Sequence, residues 1–250
     1  MERKIMEKQP LLNTNVNNVT IDEAVDAVES FLQQKKKAYV VPINVDVVMK
    51  IEEDAYLQQI TNNADMVLVD GTPLVWIAKH HGCPVKEKVS GSDLVPRLCD
   101  MCAQKGYSLF ILGGKDGVAD RAKARLEQMY PGIQVVGTYA PPLHFEKNQA
   151  ELEKTNAAIS AAAPDLLVVC LGCPKQEKFI YENMDSYTAT VSVCAGATVD
   201  FLAGNVKRAP KWMSDCGLEW FYRFTKEPKR LFKRYFVDDV KILRLIRKYR

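Results

Sequence analysis

Nothing in this 250-residue sequence approaches the ~18 consecutive apolar residues that a membrane-spanning helix requires. The first ten residues are polar and lack the apolar core of a secretory signal, so the chain is expected to be made and kept in the cytoplasm. Seven cysteines, an odd number in a chain this long, do not suggest a disulfide framework. No internal repeat or low-complexity linker is present. The hydrophobic share of 47% and charged share of 26% exclude a disordered, collagen-like or coiled-coil chain. What remains is a globular protein long enough to bury a sizeable core.

Net charge is also scarce, at +3 from 34 basic and 31 acidic residues, but the average hides an asymmetry. Residues 205–250 hold 14 Lys and Arg against 5 Asp and Glu, a net of +9, which leaves residues 1–204 with 20 against 26, a net of −6. A mildly acidic body therefore ends in a basic tail. That pattern points to a phosphate, a nucleic acid or an anionic membrane surface as partner, with a solvated basic helix as the plain alternative. No recognised RNA- or DNA-binding module accompanies the charge, which argues against nucleic acid.

Short β-rich apolar runs alternate with amphipathic stretches. The expected strands are 39–43, 66–69, 108–112, 134–136, 166–171 and 190–194. They are continuously apolar, as strands covered on both faces are. The expected helices are 21–34, 45–60, 93–104, 117–129, 149–162 and 176–184. This alternation predicts an α/β fold, an open and mostly parallel Rossmann-like sheet. Two Cys-x-x-Cys spacings resemble metal motifs. Cys99 and Cys102 fall in an amphipathic stretch and Cys170 ends a buried-strand run before Cys173, so small hydrophobic thiols are the expected reading. After Phe201 the pattern changes. A helix over 213–224 is expected, then a new one from Pro228, giving a division into residues 1–204 and a C-terminal helical appendage, 205–250. In that appendage Phe232, Phe236, Val240, Leu243 and Ile246 recur at helical spacing beside a basic face. Such a stripe suits an anionic membrane or packing on the chain's own body.

Ligands of open α/β sheets bind outside the carboxyl ends of the strands. Five polar clusters sit there. Asn44 follows the first strand and Asp70 the second, each able to cap the next helix or to meet a ligand. Gly113 and Gly114 follow the third, where a phosphate could approach the backbone, but the dinucleotide fingerprint fails because positions 115 and 118 are Lys and Val. Tyr139 lies after the fourth, with no acidic residue for a ribose. Gly172, Lys175, Gln176 and Glu177 follow the fifth; Gln176 can donate and accept, and Glu177 can simply complement a helix dipole. The tail adds Arg208, Arg223, Arg230, Lys233 and Arg234, the kind of cation cluster that neutralises diphosphates without a metal. No Asp-x-Asp is present to hold a divalent ion, and none of the three histidines has a nucleophile signature beside it.

With these residues in view, the chain resembles the WecG/TagA/CpsF family of bacterial glycosyltransferases over nearly its whole length. The segments that carry the resemblance, in order, are PINVDVVM, LVDGTPLVW, VSGSDLV, LFILGGKDGVAD with LEQMYPGIQVVGTYAPP, LGCPKQEKFI, GATVDFLAGNVKRAP and GLEWFYRFTKEPKR. The resemblance implies an inverting, metal-independent transfer from a UDP-sugar to a polyprenyl-diphosphate-linked sugar, with no cofactor. Its TagA branch implies N-acetylmannosamine as the sugar, undecaprenyl-diphosphate-GlcNAc as acceptor, and teichoic acid synthesis in the cell wall. Mannosaminuronic acid or glucose transfer into another polysaccharide stays open, as do a homo-oligomer and, in a different class, a non-catalytic adaptor at the membrane surface. By motif, Asp70 resembles the general base, and Asn44 and Gln176 resemble sugar contacts. Arg223, Arg230 and either Lys233 or Arg234 resemble diphosphate-facing cations of an appendage that works at the inner face of the membrane. Two departures stand out: Pro42 where a threonine is expected, and Ala195-Gly196 in place of a Gly-Gly pair.

Overall fold

The computed structural model describes residues 7–210, 213, 218–226 and 228–249; the side chains of residues 230, 234 and 237 lie outside this description. An antiparallel hairpin comes first, β1 (Lys8–Leu11) and β2 (Thr14–Asn17). The chain then runs through α1 (Ile21–Gln33), β3 (Ala38–Ile43), α2 (Val45–Glu53), α3 (Ala55–Asn63), β4 (Met66–Val69), α4 (Thr72–His80), α5 (Gly91–Lys105) and β5 (Ser108–Gly113). Next come α6 (Val118–Met129), β6 (Gln134–Tyr139), α7 (Gln149–Ala162), β7 (Leu166–Cys170), α8 (Lys175–Asn183), β8 (Val191–Cys194) and α9 (Thr198–Leu202). The tail forms α10 (Glu219–Lys226), α11 (Pro228–Lys233), a π turn and a 3-10 turn over 234–241, and α12 (Ile242–Lys248).

Strands β3 to β8 form one parallel six-stranded sheet in the order β4-β3-β8-β7-β5-β6. The expected open α/β sheet is what the chain forms. Alternate residues of each strand feed opposite layers. Val40, Leu68, Ile111, Val168 and Val193 pack under α1, α5, α6 and α9. Val41, Val67, Leu112, Val169 and Cys194 pack under α2, α3, α4, α7 and α8. Because both faces are covered, the strands read as unbroken apolar runs. Cys99 and Cys102 are buried in α5, and Cys170 ends β7.

Three local expectations change. The stretch 45–60 is not one helix, because Asp54 takes an extended backbone and its Oδ1 accepts from the N–H groups of Tyr56 (3.0 Å) and Leu57 (3.1 Å), capping α3. The β6 strand does not stop at 136. It crosses Gly137, which pairs with Phe110, and a Cβ at Gly137 would lie 2.6 Å from the Phe110 ring. Tyr139 is therefore the last residue of the strand rather than part of the loop beyond it. The tail after Pro228 is not one stripe. Leu231, Ile242 and Leu245 are buried, and the latter two join the layer beneath α2 and α4, while Phe232, Phe236, Val240 and Leu243 are exposed. Packing and an outward apolar face thus coexist on different residues. Of the helix expected over 213–224, residues 214–217 lie outside the described residues and α10 begins at Glu219.

Polar ties fasten the later part of the tail to the body. Lys88 Nζ lies 3.6 Å from Glu219 Oε2 of α10. Glu52 of α2 accepts from Lys248 Nζ at 2.7 Å and from the Tyr249 hydroxyl at 3.0 Å. Truncating a buried leucine costs about 2–5 kcal/mol, so Leu245→Ala should undock α12. Amide exchange over 242–248 should then quicken at least about tenfold while the amides of β7 keep their rates. Unchanged exchange in that helix would show that Leu245 does not hold it.

Candidate active site

The loops that leave β3, β4, β7 and β8 converge at the carboxyl end of the sheet, and two cavities open there. The first, of about 410 Å³, lies between the body and the tail. Ile77, Trp220, Tyr235, Phe236 and Val240 give it apolar walls; Lys88, Ser90 and Glu219 add polar groups. The second, of about 290 Å³, is lined by Pro42, Asp46, Lys50, Gly172, Gln176 and Gly196, among others. Asn44, Asp70, Ser92 and Arg223 belong to both.

Asp70 does not cap the helix after it. The cap position of α4 is Gly71, with no side-chain cap hydrogen bond. Asp70 instead faces the junction of the cavities. Burial pushes its carboxyl up to about 6; next in size, Lys88 pulls it down, Glu219 pushes it up, Arg223 pulls it down and Asp93 pushes it up. Around it stands a charged cluster. Lys88 bridges to Asp93 Oδ2 at 3.0 Å. Burial alone would lower the Lys88 ammonium, but Asp93, Glu219 and Asp70 outweigh it and hold it above its usual value. Asp93 also pairs with Arg208, whose Nη2 lies 3.3 Å from Ser92 Oγ as well. Asn44 does two things: its Oδ1 caps α2 by accepting from Val47 N–H at 3.2 Å, and it lines both cavities.

The remaining residues singled out in the sequence separate cleanly. Gly172, Gln176 and Arg223 line the second cavity with Asn44 and Asp70, and the Arg223 guanidinium sits 5.6 Å over the Phe201 ring. Gly113, Gly114, Tyr139, Lys175, Glu177 and Arg208 line neither cavity. The glycines answer to packing. A Cβ on Gly113 would lie 2.5 Å from the Cys170 carbonyl oxygen, and one on Gly114 would lie 3.2 Å from Val199 Cγ1. The Tyr139 hydroxyl donates to Glu151 at 3.4 Å, Lys175 pairs with Glu146 at 3.2 Å, and Glu177 is fully buried. Lys233 is exposed and lines neither cavity; the side chains of Arg230 and Arg234 fall outside the described residues. Pro42 lies past the last β3–β8 pair, where its missing N–H breaks no rung of that ladder, and it faces the second cavity.

Residue reading alone passed over Lys50, Lys88, Ser90, Ser92, Glu219 and Tyr235. The signal for one group was present as Ser90-x-x-Asp93, which also spells a helix cap. Ser90 Oγ does accept from Asp93 N–H at 3.1 Å, and the same turn carries Ser92 to the junction. Among the described residues, no three His, Cys, Asp or Glu side chains are grouped as metal ligands, and no helix is long and apolar enough to cross a membrane.

Gly113 has a φ of +108° as well as the close approach to Cys170. Gly113→Ala should therefore lose about 1–3 kcal/mol and lower the melting temperature by about 3–10 °C. An unchanged melting temperature would mean that the turn tolerates a side chain and that packing does not require the glycine.

Comparison with known proteins shows the family. Residues 9–250 match the model of the glycosyl transferase WecG/TagA/CpsF family. An N-acetylglucosaminyldiphosphoundecaprenol N-acetyl-beta-D-mannosaminyltransferase of Bacillus spizizenii (strain W23) is 30% identical over 226 residues, covering 90% of this chain and 86% of that protein. The protein of the same name in Bacillus subtilis (strain 168) is 27% identical over 231 residues, covering 92% and 86%. With a parallel sheet whose carboxyl end carries the polar junction, and a family match spanning both body and tail, the chain belongs to the WecG/TagA/CpsF family of glycosyl transferases.

Proposed function

We propose that this chain is a hexosyltransferase that moves N-acetylmannosamine from a UDP-sugar to N-acetylglucosaminyl-diphosphoundecaprenol, with inversion and without a metal, in teichoic acid synthesis. The observation that carries the reading is Asp70, a carboxylate excused from capping, raised by burial and placed where two cavities meet. The names of the two relatives support the sugar and the acceptor. The polar second cavity suits the donor sugar. The first, with Trp220, Tyr235, Phe236 and Val240, suits an acceptor that carries a lipid.

In this reading an acceptor hydroxyl gives its proton to Asp70 as its oxygen attacks the anomeric carbon. The bond from that carbon to the diphosphate oxygen breaks on the opposite side, and UDP leaves with the electron pair. Arg223, at the junction, meets the charge that develops on the diphosphate; Arg230 and either Lys233 or Arg234 are the further cations assigned to it. Base catalysis supplies about 10²–10⁴-fold, and preorganised cations a comparable share. The exposed face of Phe232, Phe236, Val240 and Leu243, beside Lys241, Arg244 and Arg247, would rest on the anionic cytoplasmic membrane surface where the lipid-linked acceptor lies.

Transfer to a lipid-diphosphate-GlcNAc analogue, read by product mass against a panel of UDP-sugars, tests the donor and acceptor directly. The expected product gains N-acetylhexosamine from UDP-N-acetylmannosamine, and EDTA leaves the rate unchanged. Asp70→Asn should lower kcat by about 10²–10⁴-fold with UDP-sugar binding intact; near-normal turnover would remove Asp70 from its role. The double variant Phe232→Glu, Leu243→Glu should lose flotation with anionic vesicles yet keep activity on a water-soluble acceptor analogue. Retained flotation would place the membrane contact elsewhere.

A further inference from the structure

Glu177 is buried with no exposed surface, beside the cavity-lining Gln176, and takes no part in the transfer just described. Its Oε1 accepts from Gln176 Nε2 at 2.9 Å. Its Oε2 has no hydrogen-bond partner among the described residues, and its carboxyl lies close to its own backbone N–H and the thiols of Cys173 and Cys194, within the field of the Lys50 ammonium. Burial holds it above the usual carboxylate range. Desolvation outweighs these partners, so the buried acid costs stability, and a helix-dipole partner in the first turn of α8 would be better off in water.

Its neighbour shows what that cost secures. Gln176 Oε1 accepts from two backbone N–H groups, Gly172 at 3.3 Å and Gly196 at 3.0 Å. Those glycines sit just beyond β7 and β8, both have positive φ (+78° and +55°), and both line the second cavity. One side-chain amide therefore braces the two loops that floor the cavity. A carboxamide offers one acceptor oxygen with two lone pairs and two N–H donors. Here the oxygen is fully used and one N–H is spent on Glu177. The second N–H has no other taker among the described residues, and Gln176 lines the cavity. Turning the amide over would set its N–H groups against two backbone N–H groups and its oxygen against a carboxyl oxygen. The neighbouring carboxyl thus selects one of the two orientations.

We propose that Glu177 is a positioning residue for the second cavity: it fixes Gln176 as a pure hydrogen-bond donor toward a sugar oxygen, hydroxyl or N-acyl carbonyl, while holding the Gly172 and Gly196 loops in place. This rests on reading that cavity as the donor-sugar pocket. It narrows the earlier expectation for Gln176, which the sequence alone left free to accept as well as donate. The pocket would accordingly favour a sugar that presents an acceptor oxygen at this point over one that presents only a donor or a bare carbon.

The test is the steady-state kinetics of the full chain with UDP-N-acetylmannosamine and a lipid-diphosphate-GlcNAc analogue, beside calorimetric binding of the same donor. Glu177→Leu should raise the donor KM and Kd at least tenfold, with acceptor KM and kcat within about threefold of wild type. Glu177→Gln keeps a carbonyl oxygen for Gln176 and should stay within about threefold throughout. A folded Glu177→Leu protein with an unchanged donor KM, or equal losses in the two variants, would overturn the positioning role. The wild-type side-chain amide carries an independent signature: one Gln176 Nε2 proton should shift on donor addition while its partner, bound to Glu177, holds still. No shift in either proton would overturn the proposal even if Glu177→Leu fails to fold. A wild-type chain that neither binds nor uses any UDP-sugar would instead overturn the reading of the cavity itself.

Discussion

A carboxylate partly withdrawn from water at the carboxyl end of a parallel sheet is the constraint around which this molecule is arranged. Asp70 leaves β4 at a point where loops from β3, β7 and β8 also arrive, and the tail covers it from the other side. Burial alone would favour the neutral acid. Lys88 from the body and Arg223 from the tail oppose that, while Glu219 and Asp93 partly cancel the two cations. The balance leaves a group that changes charge close to the pH at which a base must work. Neither body nor tail makes this environment alone. Lys88, Ser90 and Ser92 come from one, Glu219, Trp220, Arg223 and Tyr235 from the other.

The opposed charges of the two segments acquire a physical meaning from this closure. Acidic groups of the body receive basic groups of the tail at Asp93–Arg208 and Glu52–Lys248, and the body's Lys88 receives the tail's Glu219. Lys248 is 60% exposed, so its ion pair adds little by itself. The buried Ile242 and Leu245 contribute more, and the ion pairs select the position in which they seat. Among the described residues of the tail's last segment, Lys241, Arg244 and Arg247 are exposed, as are Phe232, Phe236, Val240 and Leu243.

Much of this was legible in the sequence where one physical cause acts at a time. Unbroken apolar runs between amphipathic stretches gave the parallel sheet, and strand ends located Asn44, Asp70, Gly172 and Gln176. Where two causes share a residue, the reading faltered. Asp54 lies inside an apolar period and yet caps a helix, so one expected helix became two. Gly137 resembles a turn residue but is a glycine because Phe110 leans on it within a strand. Ser90-x-x-Asp93 spells a cap, which hid the ionic cluster it also builds around Lys88. Gly113 and Gly114 suggested a phosphate loop; the contacts with Cys170 and Val199 also call for glycine there, and neither residue lines the two cavities. The stripe after Pro228 could not be divided by periodicity alone, because the chain changes from α to π and 3-10 geometry between 234 and 241 and rotates its faces.

The central claim, that Asp70 works as a base in a desolvated junction closed by the tail, is tested most directly by the pH dependence of kcat/KM for the full chain. A carboxyl raised to about 6 must lose its proton before it can accept one from the acceptor. The account predicts a rate that climbs about tenfold per pH unit below that point and levels off above it. A rate that is flat between about pH 5 and 8, or one that falls as pH rises through this range, would contradict it.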